Sequence, residues 1–180
     1  MTFSVLIAHY NNYQFFLECY KSLKKQTITN FEIVIVDDCS TDDSFEKIKL
    51  ITKDDSRVKI YQNEKNNGVG YTKKKCVNLA NGDICGFLDP DDALLPDAIE
   101  SLLKIYENSQ IVAAYSEFYL CDEHLNIQKK FPNTRKIKNN NPYFFNIHFE
   151  IAHFCTFRKD AYLKTEGIIE DYKIVEDIDF

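Results

Sequence analysis

The chain has few of the features that mark secreted, zinc-binding or membrane-spanning proteins. Its six cysteines include no Cys-x-x-Cys pair, its four histidines form no His-Glu-x-x-His motif, and no apolar run approaches the length of a membrane span. The N-terminus lacks a basic segment followed by a long apolar one, which argues against a signal peptide. We therefore expect reduced cysteines, packed as small core residues, in a cytoplasmic protein.

Positive charge is also scarce. The 22 basic and 28 acidic side chains give a net charge of −6, which argues against general nucleic-acid binding through phosphate neutralisation. One segment departs from this balance. Residues 129–141 carry Lys129, Lys130, Arg135, Lys136 and Lys138 among asparagines.

A repeated strand–helix pattern fills the first half of the chain. With 180 residues, 44% of them hydrophobic, the chain is long enough for one domain with a core. Apolar runs predict buried strands at 3–8, 31–36, 58–61 and 84–88. Helical spacing of apolar residues follows each of the first three runs, so we predict an α/β fold with a mainly parallel sheet flanked by helices.

The second half is less regular. A helix opens at Pro96, strands are predicted at 111–119, from 127 onwards and at 151–158, and a short helix at 159–164.

Polar residues follow the first, second and fourth strands and should gather at one edge of the sheet. The densest group is Asp89, Asp91 and Asp92. Carboxylates this close repel one another, and a divalent cation would remove the conflict; oxygen ligands favour Mg²⁺ or Mn²⁺. An acidic turn before a helix explains the same residues without a metal.

Four segments in order resemble the motifs of the family 2 glycosyltransferases with a GT-A fold, of the bacterial polysaccharide type. They are Ser4 to Asn11, Val36 to Asp42, Leu88 to Asp92, and Glu176-Asp177. The resemblance implies one GT-A-like domain over 1–180, with a nucleotide-sugar donor half at 1–92 and an acceptor half at 93–180. The chain stops in mid-pattern at Phe180, as expected for a fragment of a larger protein with an incomplete C-terminal part.

The resemblance also implies a donor site. Tyr10 would stack on the nucleotide base and Asp38 would accept the uracil N3–H, while Asp37 fixes the loop. Ala8, where the family usually has proline, belongs to the same site, and Cys39 replaces a usual glycine. Lys73 stands at the family's arginine position and would neutralise a donor phosphate as a point charge.

Two lysines follow Lys73 in the sequence, Lys74 and Lys75. We expect both to lie on a solvated helix face.

The family's metal and catalytic residues map onto the acidic segments. Asp91 is implied as the ligand of a divalent metal, Mn²⁺ or Mg²⁺, and Asp89 as a contact to the ribose or to metal-bound water. Asp92 would cap or buttress the loop. Asp177 would be the general base that takes the proton of the acceptor hydroxyl during inversion. A lone histidine such as His153 is more often structural than catalytic.

The sequence thus predicts an inverting glycosyltransferase of the hexosyltransferase type. It would move a sugar from a nucleotide donor, UDP-linked, to a saccharide or lipid-linked saccharide in surface polysaccharide synthesis. The basic segment at 129–141 would face such an acceptor or the inner face of the cytoplasmic membrane, as a peripheral contact; a solvated loop explains it equally well. Three alternatives stay open: a nucleotidyltransferase, a receiver-like signalling domain, and a nucleotide-sugar-binding fragment without turnover.

Overall fold

The structure is a computed structural model, and it describes residues 1–11, 13–122, 125–134, 151 and 153–168. Its helices and strands, in chain order, are β1 (Phe3–His9), α1 (Tyr13–Lys24), β2 (Phe31–Asp37), α2 (Ser44–Thr52), β3 (Val58–Gln62), α3 (Val69–Leu79), β4 (Ile84–Phe87), α4 (Ala98–Tyr106), β5 (Ala113–Tyr115), β6 (Tyr119–Cys121), β7 (Ile127–Lys130), β8 (Cys155–Arg158) and α5 (Lys159–Tyr162).

The main sheet has six strands in the order β3-β2-β1-β4-β8-β5. The four strands from the first half, β1 to β4, all pair in parallel, whereas β8 runs antiparallel to both β4 and β5. Strands β6 and β7 form a separate antiparallel pair. This arrangement confirms the predicted mainly parallel sheet.

Helices cover both faces of the sheet because the buried strands are apolar on both sides. In β1, Val5 and Ile7 pack with residues of α1, α2 and α4 in one buried cluster, while Leu6 packs with residues of α3 and α5 in another. Successive strand side chains point to opposite faces, so a continuous apolar run supplies both layers.

The predicted strand at 111–119 is wrong as a single element. The chain forms β5, leaves the sheet, and forms β6 after residue 118. At the break, the Ser116 hydroxyl donates to the carbonyl oxygen of His153 at 3.0 Å and accepts from the amide of Phe154 at 3.0 Å. These bonds hold the break against the segment before β8. Strand β8 covers only the last part of the strand predicted at 151–158.

All six cysteines are free thiols. Cys19, Cys76 and Cys85 are buried as predicted. Cys121 is exposed, because it lies on β6, which belongs to the separate two-stranded sheet whose residues are all exposed. Within the described ranges, the structure contains no helix that is long and apolar enough to cross a membrane.

Candidate functional site

The carboxyl ends of β1, β2 and β4 lie next to one another. The amide of Asp38 donates to the carbonyl oxygen of His9 at 2.8 Å, and the amide of Leu88 donates to that of Leu6 at 2.9 Å. Tyr10, Asp38 and Asp89 therefore follow neighbouring strands at one edge of the sheet, where open α/β folds place ligands.

Asp37 is a buried anchor beneath this edge. Its carboxylate accepts hydrogen bonds from His9 Nδ1 at 3.0 Å, the Ser40 hydroxyl at 2.5 Å, the Ser40 amide at 2.8 Å and Gln62 Nε2 at 3.0 Å. Burial by itself raises the pKa of Asp37, but these bonds outweigh it and hold the pKa below its usual value. Asp37 thus ties three strand ends together, consistent with its predicted loop-fixing role.

The loops after β1 and β2 are joined by Asn11. Its amide donates to the Ser40 hydroxyl at 2.9 Å, and its side chain exchanges bonds with the hydroxyl and the amide of Thr41 at 3.0 and 2.8 Å. Asn11 has a φ of +50°, which asparagine tolerates better than most residues. Next to this junction, Tyr10 is 42% exposed, so its ring is accessible to a base.

Asp38 is more buried than we would expect for a residue that contacts a nucleotide base. It is 4% exposed, and its carboxylate accepts bonds from Asn63 Nδ2 at 2.7 Å, the amide of Asn67 at 3.0 Å and the amide of Gly68 at 2.8 Å. It therefore organises the loop between β3 and α3, in addition to any contact with a ligand.

Lys75 does not lie on a solvated face, and that prediction is wrong for it. Its ammonium donates to Asn63 Oδ1 at 2.7 Å and is partly buried. The helical pattern could not reveal this contact because its partner lies on a different element.

Lys73 faces the acidic loop after β4. It is 7% exposed, and its Nζ lies 3.2 Å from Asp89 Oδ1 and 5.7 Å from the ring centre of Phe87. A buried ammonium beside a carboxylate forms a centre that can hold a phosphate and a sugar hydroxyl at neighbouring points.

Asp89, Asp92 and His153 come together at the same place. His153 Nδ1 lies 3.3 Å from Asp92 Oδ2 and 3.7 Å from Asp89 Oδ2. One ligand atom from each residue lies within 4.8 Å of the others. Two carboxylate oxygens and an imidazole nitrogen at this spacing fit a divalent transition metal.

The field around this group is negative. Burial raises the pKa of Asp92, and the charges of Asp89 and Asp91 add to the increase, while His153 and Lys73 oppose it. Burial also raises the pKa of the Cys19 thiol, with a further contribution from the same three carboxylates. A bound cation would relieve this repulsion.

The remaining predicted residues fall into two groups. Asp91 is exposed and does not belong to the Asp89–Asp92–His153 group, and Ala8 is half-buried near the end of β1. Asp177 lies outside the described residues, as does most of the basic segment at 129–141.

His153 is the residue of this site that the sequence did not indicate. It comes from the segment before β8, and the antiparallel pairing of β8 with β4 carries it to the acidic loop. No local spacing relates it to Asp89 or Asp92. The predicted strand after residue 150 was the one sequence feature that suggested a position for His153 near the sheet.

Comparison with known proteins identifies the family. The sequence model "Glycosyl transferase family 2" matches residues 4–165. The chain belongs to glycosyl transferase family 2.

A curated relative supports this assignment. The chain is 35% identical over 181 residues to the uncharacterized glycosyltransferase MJ1057 of Methanocaldococcus jannaschii, and the match covers 98% of this chain and 62% of the relative. The chain therefore spans less than two thirds of the length of that protein.

Solved structures share the GT-A fold. S. aureus TarS 1-349 matches with a TM-score of 0.79 at 23% identity, covering 98% of this chain and 53% of that one, and its complex with UDP-GlcNAc matches with 0.75. The mannosyltransferase PcManGT of Pyrobaculum calidifontis, in complex with GDP-Man and Mn²⁺, matches with 0.69 at 13% identity, covering 94% and 48%.

Proposed function

We propose that the protein is an inverting glycosyltransferase that transfers a sugar from a UDP-sugar to a saccharide or lipid-linked saccharide. The observation that carries this proposal is the group formed by Lys73, Asp89, Asp92 and His153 at the carboxyl end of β4, beside the loops of Tyr10 and Asp38. The TarS complex with UDP-GlcNAc supports a UDP-linked donor.

The donor contacts follow from the position of each group. Tyr10 stacks on the base, and Asp38 accepts the uracil N3–H through its remaining acceptor capacity. Lys73 binds a phosphate oxygen, and Asp89 accepts from a ribose hydroxyl. Ala8 lines the same site without a polar contact.

The metal has two candidate sets of ligands. The family resemblance favours Asp91, whereas the geometry favours Asp89, Asp92 and His153. When bound, a divalent cation would offset the charge of the donor diphosphate and of the departing nucleoside diphosphate. The Mn²⁺ in the PcManGT complex supports Mn²⁺ or Mg²⁺ as the ion.

The proposed base is Asp177. Deprotonating the acceptor hydroxyl requires a carboxylate within hydrogen-bond reach of it, on the face of the sugar opposite the leaving group. We expect Asp177→Ala to retain UDP binding and to abolish transfer in a radiolabelled donor assay. Loss of UDP binding in this variant would contradict the base assignment.

Titration calorimetry with UDP, with and without Mn²⁺, tests the donor site. We expect metal-dependent binding in the wild type. Asp91→Asn and Asp92→Asn then separate the two sets of ligands. The substitution that removes a metal ligand should abolish the effect of Mn²⁺ on the UDP affinity, and the other should leave that effect unchanged. Absence of UDP binding in the wild type would overturn the proposed function.

Binding of a nucleotide sugar without turnover is the second candidate. The chain spans 62% of its M. jannaschii relative and about half of the two structures, and this partial coverage is what supports the second candidate. This second candidate would be favoured if the protein binds UDP but transfers no sugar to any saccharide and leaves the UDP-sugar intact.

The location is proposed with the function. We propose a cytoplasmic protein that contacts the membrane peripherally through its basic segment at 129–141. Cosedimentation with vesicles containing anionic lipid tests the contact, and no sedimentation at low salt would exclude it.

A further inference from the structure

Asn63, the first residue after β3, connects the predicted base-binding acid to α3. It is 4% exposed. Its Nδ2 donates to Asp38 Oδ1 at 2.7 Å and to the Thr72 hydroxyl at 3.0 Å, and its Oδ1 accepts from Lys75 Nζ at 2.7 Å. Its backbone amide donates to the carbonyl oxygen of Asp37 at 2.8 Å.

These partners allow only one orientation of the Asn63 amide. A flipped amide would direct its oxygen at the carboxylate of Asp38 and its NH₂ group at the ammonium of Lys75. Lys75 therefore fixes the face that Asn63 presents to Asp38. The Thr72 hydroxyl accepts the second N–H and donates to the carbonyl oxygen of Gly68 at 2.9 Å, so it completes the network.

The same bonds decide which acceptor site of Asp38 remains available. Among the residues that the structure describes, Oδ1 accepts from Asn63 and from the amide of Asn67, whereas Oδ2 accepts from the amide of Gly68 alone. A carboxylate offers about four acceptor positions, so the remaining capacity lies on Oδ2. Without Asn63, the carboxylate would keep its two backbone bonds, but a second acceptor position would become free on Oδ1.

We infer that Asn63 is a positioning residue that directs Oδ2 of Asp38 towards the nucleotide base. Lys75 and Thr72 hold Asn63 in the orientation that this requires. The network thereby sets the preference for uracil over cytosine. Uracil presents an N3–H donor to a carboxylate, whereas cytosine presents an N3 acceptor that a carboxylate repels. This inference rests on the proposed donor function.

The position of Lys75 on α3 gives the network a rigid support. Lys73 lies on the same helix and pairs with Asp89, so α3 holds both the base end and the phosphate end of the proposed donor site. Groups fixed on a helix are placed more reproducibly than groups on a loop alone.

The test compares the affinities of UDP and CDP by calorimetry with Mn²⁺, together with the melting temperature. The variants are Asn63→Ala and Lys75→Met, with Lys65→Met, an exposed lysine of the same loop, as the matched control. We expect Asn63→Ala to reduce the UDP-over-CDP ratio about tenfold or more, as for the loss of one charge-assisted hydrogen bond, and Lys75→Met to reduce it in the same direction. The control should keep the wild-type ratio.

Three results would overturn the inference and leave the donor function intact: equal weakening of UDP and CDP in Asn63→Ala, an unchanged ratio, or equal binding of both nucleotides by the wild type. Binding of neither nucleotide by the wild type would overturn the proposed function and the inference with it. If Asn63→Ala loses cooperative melting, Lys75→Met decides the question by the same ratio.

Discussion

Glu32, at the opposite edge of the sheet from the candidate site, should make the stability of the fold depend on pH. Its carboxylate accepts from Lys59 Nζ at 2.6 Å, the Ser4 hydroxyl at 2.5 Å and the amide of Gly82 at 3.2 Å, and also from the amide of Asn81. These bonds join β2, β3 and β1 to the turn before β4. We therefore expect Glu32→Gln to destabilise the fold without touching the donor site.

The pKa of Glu32 sets the size of this effect. Burial raises the pKa, but the bonds from Lys59, Ser4 and Asn81 outweigh it and lower the pKa from 4.5 to about 2. The difference of 2.5 units (4.5 − 2) at about 1.36 kcal/mol per unit gives an upper bound of about 3.4 kcal/mol. Lys59 is 38% exposed and Glu32 15%, so solvent screening reduces our expectation to about 2 kcal/mol.

The sign of the pH dependence follows from the lowered pKa. Ionised Glu32 stabilises the folded state above pH 4.5, and this contribution is lost as the pH falls towards 2. Urea unfolding at a series of pH values should show the wild type losing about 1 kcal/mol more than Glu32→Gln between pH 6 and pH 3, with the rest of the difference lost on further acidification.

Glu46→Gln is the matched control. Glu46 pairs with Lys49 at 3.2 Å on an exposed helix surface, so its loss should change the free energy of unfolding by less than about 0.5 kcal/mol. Parallel pH profiles of the wild type and Glu32→Gln would refute the argument, as would equal effects of the two substitutions at pH 7.

Three further predictions concern strain and the acidic loop. Cys39 has a φ of +60°, so Cys39→Gly should raise the free energy of unfolding in urea by up to about 1 kcal/mol; a decrease would contradict the strain argument. A Cβ on Gly86 would lie 2.5 Å from Phe154 Cζ, so Gly86→Ala should lower the free energy of unfolding by about 1–3 kcal/mol in the same assay. It should also weaken Mn²⁺ binding, because a shift of Phe154 displaces the neighbouring His153. Wild-type stability together with wild-type Mn²⁺ affinity would exclude this coupling. His153→Ala should weaken Mn²⁺ binding in calorimetry about tenfold or more, and unchanged affinity would remove His153 from the ligands.

The parallel part of the sheet was predictable because its strands are buried on both faces. Runs such as residues 31–36 carry a strong apolar signal, and the short connections force the polar residues after each strand to one edge. The positions of Tyr10 and Asp38 beside that edge follow from this rule alone.

The rest depended on contacts between distant segments. Ser116 ends the predicted strand at 111–119 by bonding to the backbone at His153 and Phe154, which local apolar content does not reveal. Lys75 resembled a solvated helix residue because its partner, Asn63, lies on another element. His153 reaches Asp92 only through the antiparallel pairing of β8 with β4.

The central claim is that the loop after β4 forms a metal and diphosphate site. Calorimetric titration of UDP into the protein, with Mn²⁺ and then with a chelator, tests it most directly. We predict that the wild type binds UDP only when the metal is present. In Asp92→Asn or Asp91→Asn, adding the metal should no longer change the UDP affinity. Equal UDP affinity with metal and with chelator in the wild type, or no UDP binding at all, would contradict the claim.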